Sequence, residues 1–129
     1  MSMSETVKAL YRFFGGFGLP VYAEDSVPNR DESGAKIKPP YITVQLVVPS
    51  WADAAPFYAH VWYRDAGFEA IDAKVDEIGA AIGEGVSLPT DSGAVYVFKG
   101  DPFAQYRPMS GDPALKCVYL NMSIMSHTT

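Results

Sequence analysis

The sequence predicts an α+β protein: one mostly antiparallel sheet of about four main strands, with two helices packed on one face. Two segments place apolar residues at helical spacing, and four others alternate apolar with polar residues. Clusters of Gly, Pro and Asp separate these segments. At 129 residues the chain suits one domain over residues 1–129. We expect the element order α-β-β-α-β-β.

The first helix is predicted from about Ser4 to Phe14, where apolar residues recur at helical spacing and Gly15 follows. A short extended piece at Val21–Tyr22 comes next. Residues 25–40 contain three prolines and mixed charges, which predicts a long exposed loop.

A β-hairpin and the second helix form the middle of the chain. Residues Tyr41–Val48 alternate cleanly and predict a strand, residues 49–56 predict a turn, and Phe57–Arg64 predict the returning strand. A helix then runs from Asp65 or Ala66 to Ile82. Its predicted apolar stripe consists of Phe68, Ile71, Val75, Ile78 and Ile82.

The last third of the chain predicts two more main strands. Val86–Leu88 is a possible short strand, and Ala94–Lys99 is the third main strand. Residues Gly100–Pro113 hold three prolines and two glycines, which predicts a second long loop. Lys116–Ser126 alternates again and predicts the final strand.

Composition excludes several classes of protein. Apolar residues make up 48% of the chain and aromatic residues 13%, which excludes a disordered chain. The longest apolar runs are far shorter than the ~20 residues of a membrane helix. The single cysteine, Cys117, excludes a disulfide framework and a cysteine-based zinc site. A net charge of −5 argues against a general nucleic-acid clamp.

The acidic charge is concentrated in one segment. Residues 53–91 contain eight acidic and two basic residues, and the rest of the chain is nearly neutral. A carboxylate cluster on the second helix could hold a divalent metal, but a solvated acidic helix face is much commoner, so we predict no metal and no cofactor. The acidic candidates for an exposed surface are Glu69, Asp72, Asp76 and Glu77.

The strand Phe57–Arg64 has bulky side chains on both faces, although two helices can cover only one face of a sheet. Aromatic residues and arginine are the types that protein interfaces favour. This face is therefore either an interface between subunits or covered by loops of the same chain. Its candidates are Tyr58, His60, Trp62 and Arg64, joined by Tyr119 if the register allows.

The predicted loop after Gly100 is apolar and stiffened by prolines, which is unusual for a segment that merely faces solvent. We expect it to fold back on the sheet or to dock on a neighbouring subunit. Its interface candidates are Phe103, Tyr106, Arg107 and Met109.

The sequence does not assemble a catalytic site. His60 would need a neighbouring carboxylate for acid–base chemistry, and no local motif supplies one. Residues 15–18 are rich in glycine but lack the Gly-Lys-Ser/Thr ending of a phosphate-binding loop. We therefore predict that the chain is not an enzyme and that His60 is a structural or interface residue.

A series of short structural motifs follows in order along most of the chain. These motifs are residues 17–22, 27–28, 40–43, Trp62, 75–78, 83–85, 99–105, 112–113 and 119–121. The ordered set resembles the small tail proteins of long-tailed bacteriophages and prophages, known as minor capsid or tail-completion (tail-terminator-like) proteins.

The resemblance implies a structural virion protein with an α+β fold. Such a protein assembles as a ring, typically a hexamer, that caps the tail tube and joins it to the head connector. Its implied partners are further copies of itself, the tail tube protein and the head–tail connector proteins, with DNA only in passage and no membrane. Its implied location is the tail or neck of the virion, and the host cytoplasm during assembly. Acidic side chains could line the channel, where like charge keeps DNA from sticking.

Three other interpretations remain open. The first is a head-completion or neck connector protein of the same particle. The second is a small metal-dependent hydrolase that would use Glu69, Asp72 and Asp76 with His60. The third is a monomeric adaptor that would bind a host protein through the face of Tyr58 and Trp62.

Overall fold

The fold is a six-stranded mixed sheet with two helices, seen in a computed structural model that describes residues 3–46, 54–107, 109 and 111–128. The strand order across the sheet is β1-β2-β3-β6-β5-β4. β1 and β2 pair in parallel, and every other neighbouring pair is antiparallel. The elements are α1 (Met3–Gly15), β1 (Val21–Ala23), β2 (Tyr41–Leu46), β3 (Ala55–Arg64), α2 (Glu69–Ile82), β4 (Val86–Pro89), β5 (Gly93–Arg107) and β6 (Leu115–Thr128).

The α+β class and the two helices are confirmed, but the predicted sheet was wrong. We predicted about four main strands, mostly antiparallel, whereas the sheet is mixed and has six. The two additional strands are the short β1 and β4, which lie at its edges. A segment as short as Val21–Ala23 contains no signal that says which strand it will join, and it pairs in parallel with Ile42–Val44.

The predicted hairpin of β2 and β3 is confirmed, with Ile42 opposite Val61 and Leu46 opposite Phe57. The last two residues of the predicted first strand, Val47 and Val48, lie outside the described residues. The same holds for most of the predicted turn that follows them.

β5 is much longer than predicted, because the predicted loop after Gly100 continues the strand to Arg107. Gly100 and Pro102, which indicated a loop, instead lie in a bulge in which residues 100–103 are opposite Asn121. The Asn121 amide donates a hydrogen bond to the carbonyl of Pro102 at 3.1 Å. A Cβ at Gly100 would lie 2.8 Å from the Asn121 carbonyl oxygen, so this close approach requires glycine.

Both helices pack on one face of the sheet, around a single core. α1 buries Leu10 and Phe14, and the Phe14 ring lies 5.6 Å from that of Phe57 in β3. α2 buries Ile71, Ile78 and Ile82 against the same cluster. Phe68 was predicted to begin this stripe, but the helix begins one residue later and the side chain is 46% exposed.

The core predicts a strong response to truncation of Phe57, whose side chain is 1% exposed. Phe57→Ala should lower the free energy of unfolding by about 3–5 kcal/mol, because the ring leaves a cavity between α1 and the sheet. The control Met125→Ala, at a side chain that is 45% exposed, should lower it by less than about 1 kcal/mol. Urea unfolding measures both values, and equal losses would contradict this assignment of the core.

Candidate functional site: the outer face of the sheet

The face of the sheet turned away from the helices, here called the outer face, is rich in aromatic side chains. His60 in β3 pairs with Tyr119 in β6 and with Thr43 in β2, so strand alternation places all three on this face. None of the aromatic residues described on this face is fully buried. They are Tyr22, Tyr41, Tyr58, Trp62, Tyr96, Phe98 and Tyr119.

Glu24 lies at the centre of a hydrogen-bond network on the outer face. Its carboxylate accepts hydrogen bonds from the hydroxyl of Thr43 and from Nδ1 of His60, the latter at 2.7 Å. The indole Nε1 of Trp62 donates to the Thr43 hydroxyl at 3.0 Å. The network therefore fixes His60 and Trp62 on the outer face of β3 and connects β2 and β3 to the residue that follows β1.

His60 is held on its other side by stacking. Its ring lies 3.9 Å from the ring of Tyr119, with an angle of 17° between the planes. The guanidinium of Arg107 lies over the same tyrosine ring, 4.9 Å from its centroid, in a cation–π contact. Burial lowers the pKa of His60, and Arg107 acts in the same direction, while Glu24 opposes them. The ring is therefore positioned as a packing element, with its pKa below the ordinary value for histidine.

The other reactive side chain on this face, Cys117, is buried. Desolvation raises the pKa of its thiol to about 12, so the group stays protonated. Cys117 therefore behaves as a small apolar residue beneath Trp62, its pairing partner in β3.

The structure brings most of the predicted interface residues together. Five of them share the outer face: Tyr58, His60, Trp62, Arg107 and Tyr119. Tyr119 lies there because it pairs with His60, which is the register that the prediction required. Arg64 lies at the exposed end of β3, where it donates a hydrogen bond to Asp112 at 2.8 Å.

The remaining interface candidates lie elsewhere. Phe103 folds back on α2, where a Cβ at Gly79 would approach its ring to 3.3 Å. Tyr106 is on the helix side of β5, and its hydroxyl donates to Asp72 at 2.7 Å although the side chain is 61% exposed. Met109 lines a groove of about 390 Å³ at the end of β5 and β6, beside Phe68. Tyr106 and Arg107 are neighbours in β5, so strand alternation directs them to opposite faces of the sheet.

The acidic candidates Glu69, Asp72, Asp76 and Glu77 all lie on α2, across the sheet from His60. Glu77 pairs with Lys74 at 2.8 Å. Within the described part of the chain, no group of three or more His, Cys, Asp or Glu side chains converges as metal ligands would. The hydrolase interpretation needed His60 beside these carboxylates, whereas His60 lies on the opposite face of the sheet.

Sequence reasoning missed Glu24, Thr43, Tyr96 and Phe98. The alternation of β5 could have placed Tyr96 and Phe98 on one face, since they are two residues apart. No sequence signal pointed to Glu24, because it follows a three-residue strand whose parallel pairing brings it beside Thr43.

Among known proteins, this chain is similar in fold to a chain of a solved structure. No family model matches the chain, and no curated protein matches it. A chain of a solved structure described as "Virion of native gene transfer agent (GTA) particle" matches with a TM-score of 0.62 and 18% identity. The match covers 94% of this chain and 90% of that chain, so the two share nearly the whole fold.

None of the described helices has the length and apolar character needed to cross a membrane.

The lowered pKa of His60 predicts how stability depends on pH. In the unfolded chain His60 takes up a proton at a higher pH than in the folded chain. The contribution of His60 to the free energy of unfolding is therefore complete above about pH 6.5 and is lost as the pH falls below that value. His60→Gln should remove this part of the pH dependence, whereas His127→Gln, at an exposed position of β6, should keep it. Urea midpoints at about pH 7.5 and about pH 5.5 measure the difference. The same pH dependence in His60→Gln and in the wild type would contradict the assignment.

Proposed function

We propose that the chain is a structural virion protein of a long-tailed phage, prophage or phage-like particle, in a tail-terminator or tail-completion role. In this role it forms a ring, typically a hexamer, that caps the tail tube and joins it to the head connector. The observation that supports this best is the shared fold, over 94% of the chain, with a protein from the virion of a gene transfer agent. The ordered motifs of the sequence support the same role.

The outer face supports self-association. It presents partly exposed aromatic side chains and Arg107 on a sheet whose geometry is fixed by the network around Glu24. Aromatic residues and arginine on a rigid surface lose little conformational entropy when they bind, which favours an interface. We propose this face as a contact surface of the ring, with Tyr58 and Trp62 near its centre.

We further propose that the protein has no catalytic activity. Thr43 and His60 are buried and share the Glu24 carboxylate, and the thiol of Cys117 remains protonated. None of these groups has the exposure and activation that a nucleophile or general base requires. The polar residues of the outer face instead position its aromatic residues.

The mass of the protein in solution tests this role. Light scattering after size exclusion, over a wide range of concentration and with or without assembled tail tubes, should show a closed ring or a monomer that assembles on tube ends. A ring that docks on a portal instead of a tube would indicate the head-completion role. A monomer that neither self-associates nor binds tail tubes at any concentration would contradict the proposal.

Truncation of the outer face should weaken assembly without unfolding the chain. Tyr58→Ala removes a half-buried ring from the proposed contact and should reduce self-association by roughly tenfold or more. The matched control Tyr11→Ala removes a half-exposed tyrosine of α1 and should leave self-association unchanged. Sedimentation equilibrium measures the association, and thermal melting verifies the fold. Equal association of both variants would exclude this face from the interface.

A further inference from the structure

One segment of β5 has a free edge. Residues Ala104–Arg107 pair with β6 on one side, whereas β4 pairs only with residues 94–97 of β5. Within the described residues, no strand therefore borders the 104–107 segment on its second side, and all four residues are exposed. An exposed strand edge is a template for the addition of another extended segment.

A groove with acidic and apolar walls lies beside this free edge. It has a volume of about 300 Å³ and runs between α2 and β5. Asp72 and Asp76 of α2 form its acidic wall, and Val75 and Val118 contribute apolar surface. Tyr106 crosses the groove through its hydrogen bond to Asp72, which leaves Asp76 as the exposed carboxylate. The groove thus suits an extended segment that carries basic side chains.

The chain contains such a segment, here called the arm, at residues 29–38. Residues Arg30 and Lys36 form an antiparallel bridge, and the amide of Ile37 donates to the carbonyl of Asn29 at 2.9 Å. The turn between them is closed by Asp31, whose carboxylate accepts hydrogen bonds from the amides at positions 33 and 35. The arm is therefore ordered by its own hydrogen bonds, although most of it is exposed.

The basic residues of the arm are available for a contact. Lys36 and Lys38 are exposed, and among the described residues neither forms a salt bridge. They are two residues apart, so in an extended segment they point to the same side, with Ile37 on the other. A strand of this kind beside β5 would direct its lysines to one side of the sheet and Ile37 to the other.

The arm and the groove belong to opposite edges of the sheet. The arm follows β1 at the first edge, and four strand spacings of about 4.8 Å separate β1 from β5. A contact that joins the two edges therefore joins two copies of the chain. Such a contact uses different surfaces on each copy, and repeated contacts of this type form a ring when the rotation between copies closes.

We propose that the arm of one copy lies along the free edge of β5 in the next copy, with Lys36 and Lys38 facing Asp76 of α2. The proposal rests on the proposed ring assembly and adds a second subunit contact to that of the outer face. It places Asp76 in a subunit contact, while Glu69 and Glu77 stay available at the surface.

Charge reversal tests this contact. Asp76→Lys and Lys36→Glu should each weaken self-association by roughly tenfold, and the double variant should return to within about threefold of the wild type. Glu84→Lys, an exposed position just after α2 and outside the groove, makes the same charge change as Asp76→Lys and should have little effect. Sedimentation equilibrium measures all four, and circular dichroism verifies each fold.

Disulfide cross-linking gives an independent test. Equal amounts of the single variants Ile37→Cys and Gln105→Cys are mixed and oxidised, and the proposal predicts a disulfide-linked dimer that contains one copy of each. Cys117 is buried and should not react. In the control, Lys8→Cys, at an exposed position of α1, takes the place of the Ile37→Cys variant in the mixture. No mixed dimer should then form.

The outcomes separate this inference from the proposed function. An oligomer that forms normally with both charge-reversed single variants, or that gives no mixed dimer, would overturn the arm contact and leave the ring intact. A wild-type chain that stays monomeric at every concentration, with and without tail tubes, would overturn both.

Discussion

The structure depends on one constraint: the central strands have bulky side chains on both faces, and the helices cover only one. β3 and β6 pair along ten residues and place Phe57 and Val61 in the core under the helices. The same pairing places His60 and Tyr119 on the outer face, where no helix covers them. The outer face is therefore a direct consequence of the strand alternation that builds the core.

Polar groups on the outer face hold the aromatic residues in position. Glu24 bonds Thr43 and His60, Thr43 accepts from Trp62, and His60 stacks on Tyr119. A partly exposed carboxylate beside a buried imidazole resembles catalytic machinery, but both groups are engaged with neighbours that fix side-chain geometry. A rigid aromatic surface favours binding, because little conformational entropy is then lost.

The sequence predicted the fold wherever periodicity was strong. The helix up to Phe14, the hairpin of β2 and β3, and the stripe from Ile71 to Ile82 follow from spacing alone. β5 could not be read in this way, because Pro102 and Gly100 predict a loop and the structure uses them in a bulge that Asn121 closes. Glu24 was also unpredictable, since its role arises from parallel pairing of a very short strand.

The role that we propose for this chain is to cap the end of a tail tube. The most direct measurement is electron microscopy of tail tube protein polymerised with and without the chain, with the chain carrying a gold label. We expect label at one tube end and tubes that stop growing once they are capped. Label along the sides of the tubes, or unlabelled tubes of unchanged length, would contradict it.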